Sequence, residues 1–201
     1  MPTPIEAEVK RILRINGRGE ALRRAFQSAW SDFEHNYPDR AWWRRKSTQA
    51  AIIWEYAVKH AIEALGNDVV VVPHHDTISF IFDDALLVRM KKADVELMSR
   101  NYPTALASLF HEPEVDLFGY KGLQRVEVVY VRDQYGMGLD WIGIVAREND
   151  RVLWHFELED DAAATVEKLP ITTQAEASST AALATLKKDA ESEKKSGGES
   201  E

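Results

Sequence analysis

The sequence contains no cysteine, and this absence excludes disulfides and thiolate metal sites. It also has no long apolar run, since a stretch such as residues 69–73 is far shorter than a membrane span. The first residues form no apolar segment of the kind that a secretory signal peptide requires. We therefore predict a cytoplasmic protein that does not associate with membranes.

Most common catalytic signatures are missing as well. No phosphate-binding or dinucleotide-binding glycine motif precedes a helix, and neither a zinc-protease motif nor a nucleophile elbow occurs. His74, His75 and Asp76 have a metal-like composition, but adjacent side chains of an extended segment point in opposite directions. We interpret these three residues as a turn, and we interpret His60 as a core histidine. The sequence predicts no metal ion and no cofactor, and it favours a non-enzymatic role without deciding the question.

The composition indicates one folded domain followed by a tail. Of the 201 residues, 45% are hydrophobic, which is enough apolar material for a single core. The net charge is −8, but residues 1–46 contain ten Lys and Arg against six Asp and Glu. Residues 159–201 contain five against ten and no aromatic residue, so we predict an acidic disordered tail. The predicted domain, residues 1–158, is nearly neutral, whereas nucleic-acid binding depends on positive charge. We therefore favour a protein partner, and nucleic acid stays a possible ligand.

Three helices are predicted in the first third of the chain. The first covers residues 4–15 and ends at Gly17 and Gly19. The second carries large apolar residues at intervals of three or four and stops at Pro38. The third begins at Asp39 or Ser47 and ends at Leu65, before a segment that accepts left-handed backbone geometry. These helices make residues 1–66 the helical part of the domain.

Residues 67–158 are predicted to be mainly β. Three short strands over residues 69–72, 77–82 and 85–90 form one meander, and strands over 125–132, 139–147 and 151–158 form another. A short helix is predicted between them, at residues 105–110. The predicted fold class is therefore α+β, a single domain over residues 1–158 in which N-terminal helices pack on antiparallel β-meanders.

One arrangement of carboxylates suggests a nuclease. Nucleases of the restriction-endonuclease type place an Asp on one strand, an acidic-x-Lys motif on the next and often a Glu on a preceding helix, to hold a divalent metal. Glu55, Asp83, Asp84 and Lys91 occur in a compatible order. However, Arg89 occupies the position where the motif needs a carboxylate, and its charge would repel a metal. The hypothesis is therefore an active nuclease or a degenerate nuclease-like fold used for binding.

The basic segment from Arg40 to Lys46 interleaves two Trp with cations. Such a segment can stack on bases and neutralise phosphates. The same composition also describes a helix with one buried Trp edge and a charged solvent face.

A pattern within residues 87–158 consists of residues 88–94, 99–104, Phe110, 125–133, Gly136 and 152–154. This pattern resembles a group of poorly characterised bacterial and prophage proteins. Their genes often lie beside those for metallopeptidases and helix-turn-helix repressors, in pairs like toxin–antitoxin or phage-defence modules. In the group an aromatic residue usually precedes the two lysines, where Met90 stands here.

The resemblance implies a regulatory or protein-interaction component of such a module, with a protein partner that an adjacent gene encodes. A cation pair followed by a polar loop with a fixed backbone at Pro103 is its most notable chemical feature. The predicted binding residues are Lys91, Lys92, Arg100, Asn101, Tyr102 and Thr104. An accessory or structural phage protein is a further alternative.

Overall fold

The computed structural model describes residues 3–74, 76–99, 110 and 122–159. Every described element belongs to the unit Met1–Ala163. Of the predicted tail, only Glu159 is among the described residues. The predicted short helix also lies outside them except for Phe110, which is helical.

Three helices form the N-terminal part, as predicted: α1 (Glu6–Arg14), α2 (Arg18–Asn36) and α3 (Lys46–Leu65). The chain turns between α1 and α2 because Asn16 and Gly17 have φ values of 53° and 68°, in the left-handed region. Gly19, which we expected in this break, instead lies buried in the first turn of α2. A 3-10 turn, Pro38–Trp42, joins α2 to α3, so the third helix begins near the later of its two predicted starts.

Six strands form one sheet whose spatial order follows the chain. The strands are β1 (Val70–His74), β2 (Thr77–Phe82), β3 (Leu86–Lys92), β4 (Gln124–Arg132), β5 (Leu139–Glu148) and β6 (Arg151–Glu157). Both predicted meanders are present, since β1–β2–β3 and β4–β5–β6 pair antiparallel. The two meanders meet through parallel pairing of β3 with β4. The α+β fold is therefore confirmed, and the join between its two meanders is parallel.

The main core lies between the helices and one face of this sheet. Val9, Phe26, Phe33, Ile53 and Ala57 are buried on the helix side. The sheet contributes alternate residues, of which the buried ones are Phe80, Phe82, Leu86, Val88, Met90, Val126, Val128, Tyr130, Ile142, Ile144 and Ala146. The residues between them point to the opposite face, which we call the outer face, because successive strand side chains alternate.

No helix in the described part of the chain is both long and apolar enough to cross a membrane.

Candidate anion-binding site

Asp83, one of the hypothesised nuclease residues, belongs to a structural ion-pair network. Arg18 at the start of α2 is buried, with a side chain that is 4% exposed. Its Nη1 and Nη2 donate to the Asp83 carboxylate at 2.7 and 2.8 Å, and its Nε donates to Asp68 Oδ2 at 2.6 Å. The Arg18 side chain thereby joins the helices to the β2–β3 turn.

The other members of the hypothesised nuclease set do not join Asp83. Lys91 lies near the far end of β3, about 20 Å along the strand from the end of the turn that holds Asp84. Lys91 also belongs to the outer face, whereas Glu55 is exposed on α3. The structure therefore does not bring Glu55, Asp83, Asp84 and Lys91 together at one metal position.

This Arg18 network predicts a loss of stability in acid. Hydrogen bonds from Arg18 lower the pKa of both Asp68 and Asp83. Because their folded pKa lies below the unfolded value of about 3.9, their contribution is complete above that value and is lost as the pH falls through the folded pKa. We expect Asp83→Asn to lower the free energy of unfolding by about 1 kcal/mol at pH 7, since solvent screens the partly exposed carboxylate, and to flatten its decline below about pH 5.

Urea unfolding between pH 2 and pH 7 measures this effect, with Asp84→Asn as the matched control. Asp84 occupies the same turn with a similar positive φ, which Asn also tolerates. Equal pH profiles for the two variants would contradict the structural role that we assign to Asp83.

The outer face carries a buried group of cations around one carboxylate. Arg89 on β3 is the register partner of Glu127 on the parallel strand β4 and of Ser79 on β2. Lys91 and Arg125 share this face, and Arg147 Nε lies 3.3 Å from Glu127 Oε2. We call Arg89, Lys91, Arg125, Glu127 and Arg147 the outer-face cluster. Its described members are four cations and one anion.

Burial shifts the pKa values of several residues in the outer-face cluster. Burial raises the pKa of Glu127, although Arg147 and the hydroxyl of Ser99 oppose this shift. Burial also lowers the pKa of Lys91, and it lowers the pKa of Arg89 to about 10 in spite of the attraction of Glu127. Arg89 therefore stays charged at neutral pH while being only 3% exposed.

A second group of cations lies where the parallel strands end. Because β3 and β4 run in the same direction, their last residues, Lys92 and Arg132, come to the same edge of the sheet. The start of α3 brings Arg44 and Lys46 to this edge. A groove of about 610 Å³ runs between these elements, and we call it the basic groove. Such edges, beyond the carboxyl ends of parallel strands, are common ligand positions in α/β sheets.

The basic groove carries more positive than negative charge. Its lining includes five cations, which are Arg40, Arg44, Lys46, Lys92 and Arg132, and two acids, which are Asp94 and Asp133. Both acids hold turns, because Asp94 Oδ1 accepts from the amides of Glu96 and Met98, and Asp133 Oδ1 accepts from the amide of Met137.

Among the described residues, three of the groove's cations have no ion-pair partner. Arg40 pairs with Glu34, and Arg132 Nη1 donates to Gln49 Oε1 at 2.6 Å. Arg44, Lys46 and Lys92 have no ion-pair partner in the part of the chain that the structure describes. Burial lowers the pKa of Lys92, and the nearby positive charges of Arg132 and Lys46 lower it further.

Two aromatic side chains, Trp43 and Tyr135, line the basic groove. Tyr135, in the β4–β5 turn, lines the groove and is 79% exposed. Trp43 is anchored against Tyr37 and Phe33, with ring centroids 5.2 and 6.1 Å apart. Its chain neighbour Trp42 is 85% exposed. Trp43 therefore packs on the core and Trp42 meets solvent, while the interpretation of the segment as a base-stacking surface stays a prediction.

The remaining predicted residues have separate outcomes. Lys91 and Lys92 lie on β3, but Arg100, Asn101, Tyr102 and Thr104 lie outside the described residues.

His74 ends β1 and its carbonyl accepts a hydrogen bond from Thr77 Oγ1, while His75 is not described. His60 is half-buried, and its Nε2 lies 2.7 Å from Asp32 Oδ2 of α2. Among the described residues, no three His, Asp or Glu side chains form a group suited to a metal ion.

No protein-family model matches this chain, and no curated protein or solved structure matches it at a significant level.

Proposed function

We propose that this protein binds single-stranded nucleic acid in the basic groove. The proposal is supported by one observation above all: Arg44, Lys46 and Lys92 line one groove without ion-pair partners among the described residues, and the exposed ring of Tyr135 borders it. Cations along a groove neutralise successive phosphates, and exposed rings give unpaired bases a surface for stacking. Bases in a duplex are already stacked on one another, so the rings favour a single strand.

The negative net charge of the chain does not oppose this proposal. Binding depends on the potential at the groove, and a concave surface lined by charge of one sign concentrates that potential locally. If three phosphates are neutralised, the slope of log K against log salt concentration for a single strand is about −2. The affinity then falls about 15-fold between 50 and 200 mM salt.

An acidic protein segment is the second class of ligand that suits the charge of the groove. It lacks bases, so it makes less use of the exposed ring of Tyr135. The expectation of a protein partner within a prophage, toxin–antitoxin or phage-defence module stays a prediction. A nuclease is not proposed, because the hypothesised carboxylates are not brought together.

Substitution of the groove ring distinguishes these two classes of ligand. We expect Tyr135→Leu to weaken binding of a fluorescein-labelled thymidine oligonucleotide by about 5–150-fold, because base–aromatic stacking contributes about 1–3 kcal/mol. Tyr135→Phe keeps the ring and serves as the matched control, so it should bind like the unchanged protein. Fluorescence anisotropy at fixed salt measures both affinities. Equal, undiminished affinity of the Leu and Phe variants would contradict stacking on Tyr135.

A further inference from the structure

A cavity of about 510 Å³ adjoins the basic groove, and we call it the β3-end cavity. The groove and the cavity share Lys46, Lys92 and Asp94 in their linings. The other walls of the cavity come from the first turns of α3, the start of β2 and the end of β3. A base of a strand that lies in the basic groove can therefore reach the β3-end cavity.

The helix and the sheet both leave space at the β3-end cavity. On the helix side, α3 contributes Ser47, Ala50 and Ala51, which are small side chains at intervals of three and four. On the sheet side, the pairing of β3 with β2 ends at Arg89, although β3 continues to Lys92. The last residues of β3 therefore have no register partner on β2, and the cavity lies beside them.

The β3-end cavity has an apolar part that suits a flat ring. Trp54 of α3 and Ile78 of β2 line it, and both are half-buried against the main core. No other aromatic ring contacts Trp54 in the part of the chain that the structure describes. Small-molecule sites typically measure about 300–1,000 Å³ and combine apolar walls with a few polar groups. The volume and the lining of this cavity fit that description.

One carboxylate of the β3-end cavity is available to a ligand. Asp76, in the β1–β2 turn, is exposed and lines the cavity, and it makes no ion pair or hydrogen bond with the described residues. Asp94, the other acid of the lining, is already held by the amides of Glu96 and Met98. An ionised carboxylate accepts hydrogen bonds and donates none, so Asp76 calls for a ligand that presents N–H groups.

We propose, on the basis of the proposed function, that the β3-end cavity takes a guanine base of the strand bound in the basic groove. Guanine presents two adjacent donors, N1–H and the N2 amino group, which match the two carboxylate oxygens of Asp76. Each of the other bases presents a single donor group on that edge. Single-stranded recognition typically reads this Watson–Crick edge and packs the ring on an aromatic side chain, here Trp54. Lys46 and Ser47 can donate to the O6 and N7 acceptors of guanine.

The test measures binding of full-length protein to fluorescein-labelled thymidine oligonucleotides with one central guanine, adenine, cytosine or hypoxanthine. Hypoxanthine keeps the N1–H and O6 of guanine and lacks only the N2 amino group. We expect the guanine strand to bind about tenfold more tightly than the all-thymidine strand, and hypoxanthine to lose most of that gain. Fluorescence anisotropy at fixed salt gives each affinity.

Asp76→Asn should bring the guanine strand down to the affinity of the hypoxanthine strand. The Asn amide replaces one acceptor by a donor, which would face a donor of guanine. Asn is common in turns, so this variant should fold. Glu96→Gln is the matched control, because Glu96 is exposed and lines neither the cavity nor the groove. It removes the same charge and should keep the guanine preference.

Equal binding of all the oligonucleotides by the unchanged protein would overturn the inference and leave the proposed function intact. A guanine preference that Asp76→Asn leaves unchanged would also overturn the inference, because stacking alone would then explain the preference. Absence of binding to every oligonucleotide would overturn the proposed function itself, and the inference with it.

Discussion

Replacing Glu127 by Gln is expected to lower the free energy of unfolding by about 3–5 kcal/mol, the usual cost of leaving a buried charge without its partner. Glu127 is 1% exposed, and it lies between Arg147 and the cations of β3. Its Oε2 accepts a hydrogen bond from Ser99 Oγ at 2.7 Å. Gln has the same shape and can also accept this hydrogen bond, so the substitution removes mainly the charge.

Thermal and urea unfolding measure the effect of Glu127→Gln. A loss of this size corresponds to a fall in Tm of about 6–20 °C for a domain of this length. Glu148→Gln is the control, because Glu148 ends the neighbouring strand β5 and is exposed. If the two variants had the same Tm and the same free energy of unfolding, the cations of the outer-face cluster would not need the charge of Glu127. That result would contradict the role that we assign to Glu127.

The sequence was sufficient to predict the helices and strands because each has a local signal. The apolar residues of α2, from Leu22 to Phe33, recur at the helical interval, and these residues are buried. Turn residues such as Asp83 and Asn149 take positive φ between strands, as their chemistry favours. Gly19 was misplaced because a glycine next to Gly17 looks like part of the same helix break.

The parallel join between β3 and β4 had no local signal. Antiparallel neighbours need only a tight turn, whereas parallel neighbours need a connection of a dozen or more residues. Residues 93–123 are long enough for this, but their sequence does not say which strand β4 will join. The two meanders were therefore predictable and their relative direction was not.

The candidate site depends on the parallel pairing of β3 with β4, which the sequence did not predict. In the sequence, Arg89 interrupted a nuclease motif; in the fold, it pairs in register with Glu127 within the outer-face cluster. Lys46 and Lys92 are far apart in the chain, and they meet because α3 begins beside the edge where β3 ends. Alternation of charged and apolar residues along β3 was the one available signal for the cluster.

The uneven charge distribution was visible in the sequence, but its meaning required the structure. The excess of cations in residues 1–46 includes Arg18, which is buried in an ion-pair network, as well as Arg44 and Lys46, which line the basic groove. A count of charges along the sequence does not distinguish a cation in a buried ion-pair network from one that lines a groove. The part of this charge that faces a groove is therefore located at the start of α3.

The central claim is that the basic groove binds nucleic acid, and reversing two of its charges tests this most directly. We expect Lys46→Glu combined with Lys92→Glu to weaken binding of a thymidine oligonucleotide by about 100-fold or more at 50 mM salt, because two neutralised phosphates become two repelled ones. The slope of log K against log salt concentration should fall from about −2 to near zero.

Arg14→Glu combined with Arg151→Glu makes the same change in net charge at two exposed positions away from the groove, and it serves as the matched control. Fluorescence anisotropy across a salt series gives the affinity and the slope for each protein. The account predicts that binding is lost with the groove variant and persists with the control. Equal affinities and slopes for the two variants would contradict it.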